Sequence, residues 1–250
     1  MATVESNIYL TGTSPIKHFI YILGVFMSAS TTLANELISE QNTSQPSINS
    51  ALVQDHEGNI YRTVTIGKQI WLAENLRVTK FQDGSKVNTG FIPNDDKSNL
   101  AIYGRLYDWY DVTDTRNLCP EGWRVASDED YKALEIAIGI DKTDVDKLGW
   151  RGQDDVAITL KVKQPDTIFK RFNQLQVNKY GFSAMPAGVK LGNWYITQGM
   201  YTEFWTSTNA TNSEAYARTL AYSWWNSHKG EIRRAKLNKE YMFSVRCVKI

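Results

Sequence analysis

Cysteine and histidine are scarce in this chain of 250 residues, which contains 2 Cys and 3 His. The cysteines, Cys119 and Cys247, form neither a CxxC pair nor a cluster with histidine, so the sequence predicts no structural zinc site. No charge of one sign dominates either, because 28 Lys and Arg balance 27 Asp and Glu. That balance argues against nucleic acid or an acidic membrane surface as a partner.

Motifs of catalysis and of nucleotide binding are absent as well. The chain contains no GxSxG nucleophile motif, no phosphate-binding loop and no dinucleotide fingerprint. Two carboxylate pairs, Asp95 with Asp96 and Asp154 with Asp155, lie in polar, turn-like surroundings that are typical of solvated loop acids. The sequence therefore predicts no catalytic activity and no bound metal or cofactor.

A short apolar run over residues 19–27 (FIYILGVFM) follows Lys17 and His18 and precedes small residues that end at Ala34. This order of basic, apolar and small-residue regions predicts a cleavable signal peptide over 1–34. The run is too short for a stable membrane span. A misassigned start or an uncleaved anchor is the alternative, because the stretch before Lys17 is long and nearly uncharged.

Residues 35–51 are polar and predict a flexible linker, so the folded domain is expected over 52–250. An exported chain enters an oxidising compartment, where Cys119 and Cys247 can form a disulfide. The bond would close a loop of 247 − 119 = 128 positions. Two buried free thiols are the alternative.

The segment 60–72 predicts a β-hairpin, because its residues alternate and Gly67 provides a turn. The alternation puts Ile60, Val64 and Ile66 on one side of the first strand.

One helix is well marked over 128–138. Ser127 and Asp130 form a capping-box pattern at its start, and Gly139 can end it. A second, weaker helical segment is predicted over 103–110. Short strands and glycine turns are expected from residue 181 onward.

Seven sequence blocks make the chain recognisable as a member of a family. They are GNIY (58–61), IGKQIWLAENL (66–76), YGRLYDWY (103–110), CPEGWRV (119–125), GFSAMPAG (181–188), FWTST (204–208) and FSVRCV (243–248). In this order the blocks resemble the Fibrobacter succinogenes major paralogous domain, and the resemblance covers 52–250.

The resemblance implies a bacterial protein that is exported or exposed at the cell surface. It also implies an α+β, C-type lectin-like fold, with short antiparallel strands, one or two helices and many loops. That fold is shared more distantly with formylglycine-generating enzymes, whose chemistry needs two reactive thiols close together. Because both cysteines of this chain are expected in a structural disulfide, we do not expect that activity.

An aromatic-rich segment of the carboxyl-terminal half is the predicted ligand-binding face. Its aromatic rings can stack on sugar rings, and its Asn, His and Arg side chains can bind hydroxyl or carboxylate groups. We expect Trp194 and Trp225 to be exposed and Trp205 to lie in the core. The candidate binding residues are Asn193, Trp194, Tyr195, Tyr201, Trp224, Trp225, Asn226, His228 and Arg233.

These observations predict a secreted, periplasmic or cell-surface binding module without catalytic activity. Its ligand would be a glycan or another surface protein. A structural or assembly component of the bacterial envelope is the main alternative, in which the same aromatics form a protein interface. A distant relative of the formylglycine-generating enzymes is the third hypothesis.

Overall fold

The computed structural model of the protein describes residues 51–153, 156–162, 178–222, 227–228 and 230–250. The predicted signal peptide, and all of the predicted linker except Ala51, lie outside the described residues. The strands are β1 (Leu52–Gln54), β2 (Ile60–Ile66), β3 (Gln69–Leu72), β4 (Trp123–Val125), β5 (Gly149–Arg151), β6 (Val189–Leu191), β7 (Trp194–Ile196), β8 (Tyr201–Asn209), β9 (Glu214–Ala221), β10 (Ile232–Asn238) and β11 (Cys247–Lys249). The α-helices are α1 (Leu100–Tyr103), α2 (Trp109–Val112) and α3 (Asp128–Ile138), and 3-10 helices cover Pro93–Asp95, Lys97–Asn99 and Ala157–Leu160.

Antiparallel pairing organises the strands into three sheets. The largest has the strand order β1-β2-β3-β11-β4, the second has the order β5-β10-β9-β8, and the third is the β6-β7 hairpin. The last strand of the chain, β11, is therefore inserted between β3 and β4. Antiparallel sheets accompanied by a few helices define an α+β protein, as the sequence predicted.

Two buried apolar clusters form the interior, and both larger sheets contribute side chains to each. On β2, Tyr61 belongs to the first cluster and Val64 to the second. On β8, Trp205 belongs to the first and Phe204 to the second. Because neighbouring side chains point to opposite faces of a strand, both sheets are covered on both faces along these strands. Trp205 is fully buried, which confirms the prediction for it.

The predicted hairpin is present as β2 and β3, but Ile60 is not buried like Val64 and Ile66, with which the predicted alternation grouped it. Ile60 is 53% exposed, whereas Tyr61 is fully buried. The hydroxyl of Tyr61 donates to Oδ2 of Asp55 at 2.9 Å and accepts from the backbone N–H of Arg77 at 3.0 Å. The ring is therefore buried without leaving its polar end unsatisfied. Ile60 departs from the alternation because a strand covered on both faces has no single apolar side.

Helix α3 begins and ends where the sequence predicted. The hydroxyl of Ser127 accepts from the backbone N–H of Asp130 at 3.1 Å, and the Asp130 carboxylate accepts from the backbone N–H of Ser127 at 2.7 Å. Gly139 ends the helix with a φ of 116°. The helix predicted over 103–110 is interrupted, because Gly104, with a φ of 72°, separates α1 from α2.

A disulfide joins Cys119 to Cys247, with the two Cα atoms 6.0 Å apart, as predicted. Both residues are fully buried. The bond connects the segment that precedes β4 to β11, so it ties the approach to α3 to the end of the domain. In the part of the chain that the structure describes, no helix has the length and apolar character needed to cross a bilayer.

Candidate functional site

Three of the predicted binding residues lie on the β6-β7 hairpin. Its strands are joined through Gly192 and Asn193, and the φ of 55° at Gly192 suits the first central position of a type II′ turn. Trp194 is 77% exposed and Ile196 is 42% exposed. Because they are two residues apart on β7, they share one face of the strand, and Tyr195 points to the other.

The hairpin is held against a segment from the first half of the chain. The hydroxyl of Tyr195 donates to Oδ1 of Asp95 at 2.6 Å. Nζ of Lys190 lies 4.8 Å from the ring centre of Phe91 and 4.9 Å from that of Tyr195. Burial and the Asp95 carboxylate both raise the pKa of Tyr195, so its hydroxyl stays a donor at neutral pH. We call this contact between the hairpin with the two residues after it (189–198) and the segment 91–98 the junction.

Three residues at the junction have a left-handed backbone although none of them is glycine. Their φ values are 57° at Asn94, 53° at Asp95 and 62° at Thr197. Such conformations cost about 1–3 kcal/mol each, and a β-branched residue such as threonine adopts them rarely. Nδ2 of Asn94 donates to Oε1 of Gln198, the neighbour of Thr197, so the strained parts of both segments are hydrogen-bonded together. Backbone strain of this kind clusters at binding sites. Together with the exposed Trp194, it makes the junction a candidate site.

A groove of ≈ 370 Å³ starts at the same segment. Its charged lining residues are three cations, Lys86, Lys97 and Arg105, and one carboxylate, Asp95. Arg105 donates to the carbonyl oxygen of Gly90 at 2.6 Å, which fixes its guanidinium in the wall. The groove therefore has an excess of positive charge, and it begins at the segment that Tyr195 of the hairpin contacts.

The other predicted binding residues lie elsewhere. Tyr201 and Arg233 belong to the four-stranded sheet, on β8 and β10, and both are half-buried. The ring of His228 stacks on Trp150, with ring centres 4.8 Å apart and planes 4° apart, and its Nδ1 contacts the Glu231 carboxylate. Trp224, Trp225 and Asn226 lie outside the described residues, so the predicted exposure of Trp225 stays a prediction.

Two functional candidates were missed at the sequence level because their partners are remote in the chain. Asp95 was assigned to a solvated pair, and its neighbour Asp96 is indeed bound within its own loop by the N–H and hydroxyl of Ser98, which lower its pKa. Asp95 instead accepts a hydrogen bond from Tyr195, 100 positions away.

Glu203 on β8 was not among the predicted site residues. Burial raises its pKa to about 8, and the charge of Arg233 opposes this rise by a smaller amount. The second acidic pair, Asp154 and Asp155, lies outside the described residues.

Within the described ranges, no group of three His, Cys, Asp or Glu side chains is placed to hold a metal ion. The acids of the site are instead engaged with hydroxyl and amide donors. What the junction offers to a ligand is therefore an exposed indole, amide and hydroxyl groups and lysine charge. These are groups that bind by stacking and hydrogen bonding.

The fold and the site together define an α+β protein with a disulfide and a rigidly mounted aromatic hairpin. The family model described as Fibrobacter succinogenes major domain matches residues 64–249. The chain belongs to this family, as its sequence blocks predicted. No curated protein and no solved structure matches the chain.

Proposed function

We propose that the protein is an exported, non-catalytic binding module that presents Trp194 at the junction to a glycan. The observation that carries the proposal is the 77% exposure of Trp194 on a hairpin fixed by strained, hydrogen-bonded backbone. Aromatic side chains gain most of their binding energy from buried area and ring geometry. A large aromatic side chain held rigidly in water binds with little loss of conformational freedom.

Several observations support the export, the fold and the non-catalytic role that the proposal assumes. A buried disulfide is typical of secreted, periplasmic and cell-surface proteins, in agreement with the signal peptide predicted over 1–34. Family membership supports a C-type lectin-like core, whose loops would carry the ligand. Engagement of Cys119 and Cys247 in the disulfide supports a non-catalytic role over a cysteine-based enzyme.

Glycan-array binding by the purified protein, followed by titration with the best glycan, tests the proposal. Trp194→Ala is expected to weaken binding at least tenfold, which corresponds to about 1.4 kcal/mol. Tyr110→Ala is the matched control, because Tyr110 is 54% exposed on α2, outside the junction. Equal affinity of the two variants would contradict the proposal, as would the absence of any bound glycan.

A second candidate function is supported by the position of β7. Among the described residues, β6 is the only strand paired with β7, and Ile196 is exposed beside Trp194 on this edge. An edge strand with exposed apolar side chains can pair with a strand of another protein. This would suit a structural or assembly component of the envelope. A sugar-insensitive complex with an envelope protein, lost on Ile196→Lys, would favour this function.

A further inference from the structure

A row of polar side chains crosses one face of the four-stranded sheet. Thr219 on β9 is paired with Glu203 on β8 and with Arg233 on β10. Directly paired residues of an antiparallel sheet project to the same side, and neighbouring strands lie about 4.8 Å apart. We call these three residues the polar row. Trp150 on β5 is paired with Arg233 and extends the row with an aromatic ring.

Two oxygen atoms of the polar row are buried without a hydrogen-bond partner among the described residues. They are Oγ1 of Thr219 and Oε2 of Glu203. Thr219 is only 2% exposed, so water does not replace the missing partner easily. Native structures leave few buried polar atoms without a partner. These two atoms belong to directly paired residues, so one bound group is able to reach both.

The side chain of Arg233 makes no hydrogen bond and no ion pair with any residue that the structure describes. The arginines on the opposite face of the same sheet behave differently. Arg218 and Arg234 bind Asp128 at 2.7 Å, and Arg151 binds Glu135 at 2.9 Å. Within the described ranges, the guanidinium of Arg233 is thus the one on this sheet that has no carboxylate partner.

Each residue of the polar row can supply a hydrogen-bond donor. Burial raises the pKa of Glu203 to about 8, so at neutral pH the group is a neutral carboxylic acid with an O–H to donate. Thr219 contributes a hydroxyl, and Arg233 contributes a planar fork of N–H groups that matches a carboxylate. Three donors, one of them cationic, suit an anionic acceptor.

We propose that the polar row binds the carboxylate group of an organic acid, with Arg233 as the charged partner and Thr219 and Glu203 as hydroxyl donors. Trp150, the neighbour of Arg233 on β5, has one ring face stacked on His228. The site is separate from the junction in residues and sheet. It stands whether or not Trp194 binds a glycan.

Calorimetric titration with galacturonate, galactose and propionate at pH 6 tests the proposal. Galacturonate and galactose differ at a single carboxylate, and propionate supplies a carboxylate without a sugar ring. We expect galacturonate to bind and galactose not to bind. Binding of propionate as strong as that of galacturonate would identify a general acid site. Binding of galacturonate alone would identify an acidic-sugar site.

Arg233→Gln is expected to weaken galacturonate binding at least tenfold, and Lys236→Gln on the same strand provides a control that removes an exposed charge. Circular dichroism of both variants checks that they fold, and Arg233→Lys keeps the charge if the first variant is unstable. Trp194→Ala should leave galacturonate binding unchanged. Equal binding of galactose and galacturonate, no binding of either acid, or an unaffected Arg233→Gln would overturn the proposal.

The pH dependence separates the role of Glu203 from that of its neighbours. The charge of Arg233 on β10 lowers the pKa of Glu203. The other titratable groups nearby are Tyr201, two positions before Glu203 on β8, and the pair of His228 and Glu231, which contacts Trp150 through the His228 ring. Affinity for galacturonate should fall as pH rises through about 8, because ionised Glu203 repels the ligand. Glu203→Gln should retain binding at pH 9, since its amide donates without ionising. A pH profile that shifts on His228→Gln instead would contradict this assignment.

Discussion

Arg234 on β10 donates to both carboxylate oxygens of Asp128, the first residue of α3, with its closest contact at 2.7 Å. Arg218 binds the same carboxylate at 2.7 Å and also reaches Glu135 at 2.5 Å. The helix is thereby clamped to the four-stranded sheet by buried ion pairs. Burial alone would raise the pKa of Asp128, but hydrogen bonds from Arg234 and the charge of Arg218 lower it to about 2.

Asp128 should make the fold sensitive to acid. The pKa of Asp128 is lower in the folded protein than the ordinary 3.8. The ion pairs of the ionised Asp128 therefore stabilise the fold fully above pH 4, and this contribution is lost as pH falls from about 4 to about 2. The loss should be about 2 kcal/mol. Asp128→Asn should lower the free energy of unfolding by about 3–5 kcal/mol at pH 7, because it leaves the buried Arg234 without a carboxylate and Arg218 with Glu135 alone.

Guanidinium chloride unfolding at pH 7, 4, 3 and 2 measures this effect. Asp114→Asn is the control, because Asp114 pairs with Arg116 at the surface, where ion pairs contribute little. The prediction fails if Asp114→Asn and Asp128→Asn destabilise the protein equally at pH 7.

Arg246 should be required for a stable fold, although it pairs with no carboxylate among the described residues. Its fully buried guanidinium donates to Oδ1 of Asn75 and to the carbonyl oxygens of Leu72, Phe182 and Ser183 at 2.5–3.0 Å. Arg246→Met would leave these acceptors buried and unsatisfied, at a cost of about 1–3 kcal/mol each. We expect a large fall in melting temperature, measured by circular dichroism.

Arg246→Lys should also destabilise the protein strongly, because an ammonium group cannot reproduce the planar fork. Arg62→Lys is the matched control, since the Arg62 side chain is 54% exposed and pairs with Glu74 at the surface. Similar melting temperatures for the two lysine variants would show that the fork is not required.

Glu203→Gln should stabilise the protein in alkaline solution. The pKa of Glu203 is about 8 in the folded protein, against an ordinary value of 4.5. Between these values the folded state keeps a proton that the unfolded chain releases. Stability therefore falls as pH rises from about 4.5 to about 8, by at most about 1.4 kcal/mol per pH unit. Unfolding at pH 5 and 8.5 should show this fall in the wild type and in the exposed control Glu240→Gln, but not in Glu203→Gln.

Removal of the disulfide by Cys119→Ala with Cys247→Ala should destabilise the protein by about 4–5 kcal/mol, because the bond closes a loop of 128 positions. Alanine fills these fully buried positions without introducing polar groups. Chemical unfolding of the double variant, compared with the oxidised wild type, measures the loss. A difference below about 1 kcal/mol would mean that the unlinked chain is already compact when unfolded.

Gly188 should tolerate substitution less well than Gly192, although both have positive φ. A Cβ at Gly188 would lie 2.5 Å from the backbone nitrogen of Gln198 and from the carbonyl oxygen of Ile196, whereas one at Gly192 meets no atom within 4 Å. Gly188→Ala should therefore distort the base of the hairpin as well as strain the backbone. Unfolding measurements should show the larger loss for Gly188→Ala, and equal losses would contradict the close approach.

The features predicted correctly from the sequence are those encoded locally or covalently. The cap of α3 depends on Ser127 and Asp130, three positions apart, and a chain with two cysteines allows one intramolecular pairing. The predicted exposure of Trp194 is confirmed. Ile60 departs from the predicted alternation because burial on both sides of β2 removes the periodic signal.

The candidate sites were only partly predictable because they are assembled by tertiary structure. Tyr195 meets Asp95 across 100 positions, and no local pattern indicates that contact. The polar row needs the register of β8, β9 and β10, which places Glu203, Thr219 and Arg233 side by side. Of these three, only Arg233 was among the predicted binding residues, chosen for its charge beside the aromatic segment.

The covalent link between Cys119 and Cys247 also determines how the domain responds to mechanical force. Tension applied through residues 52 and 250 passes along β11 into Cys247 and then directly to Cys119, so the chain between the two cysteines carries no load. The hairpin 189–196 and the polar row both lie in that sheltered loop. When the protein is stretched between these two residues, strands β1 and β2 should separate from the sheet first, while the hairpin and the polar row keep their structure.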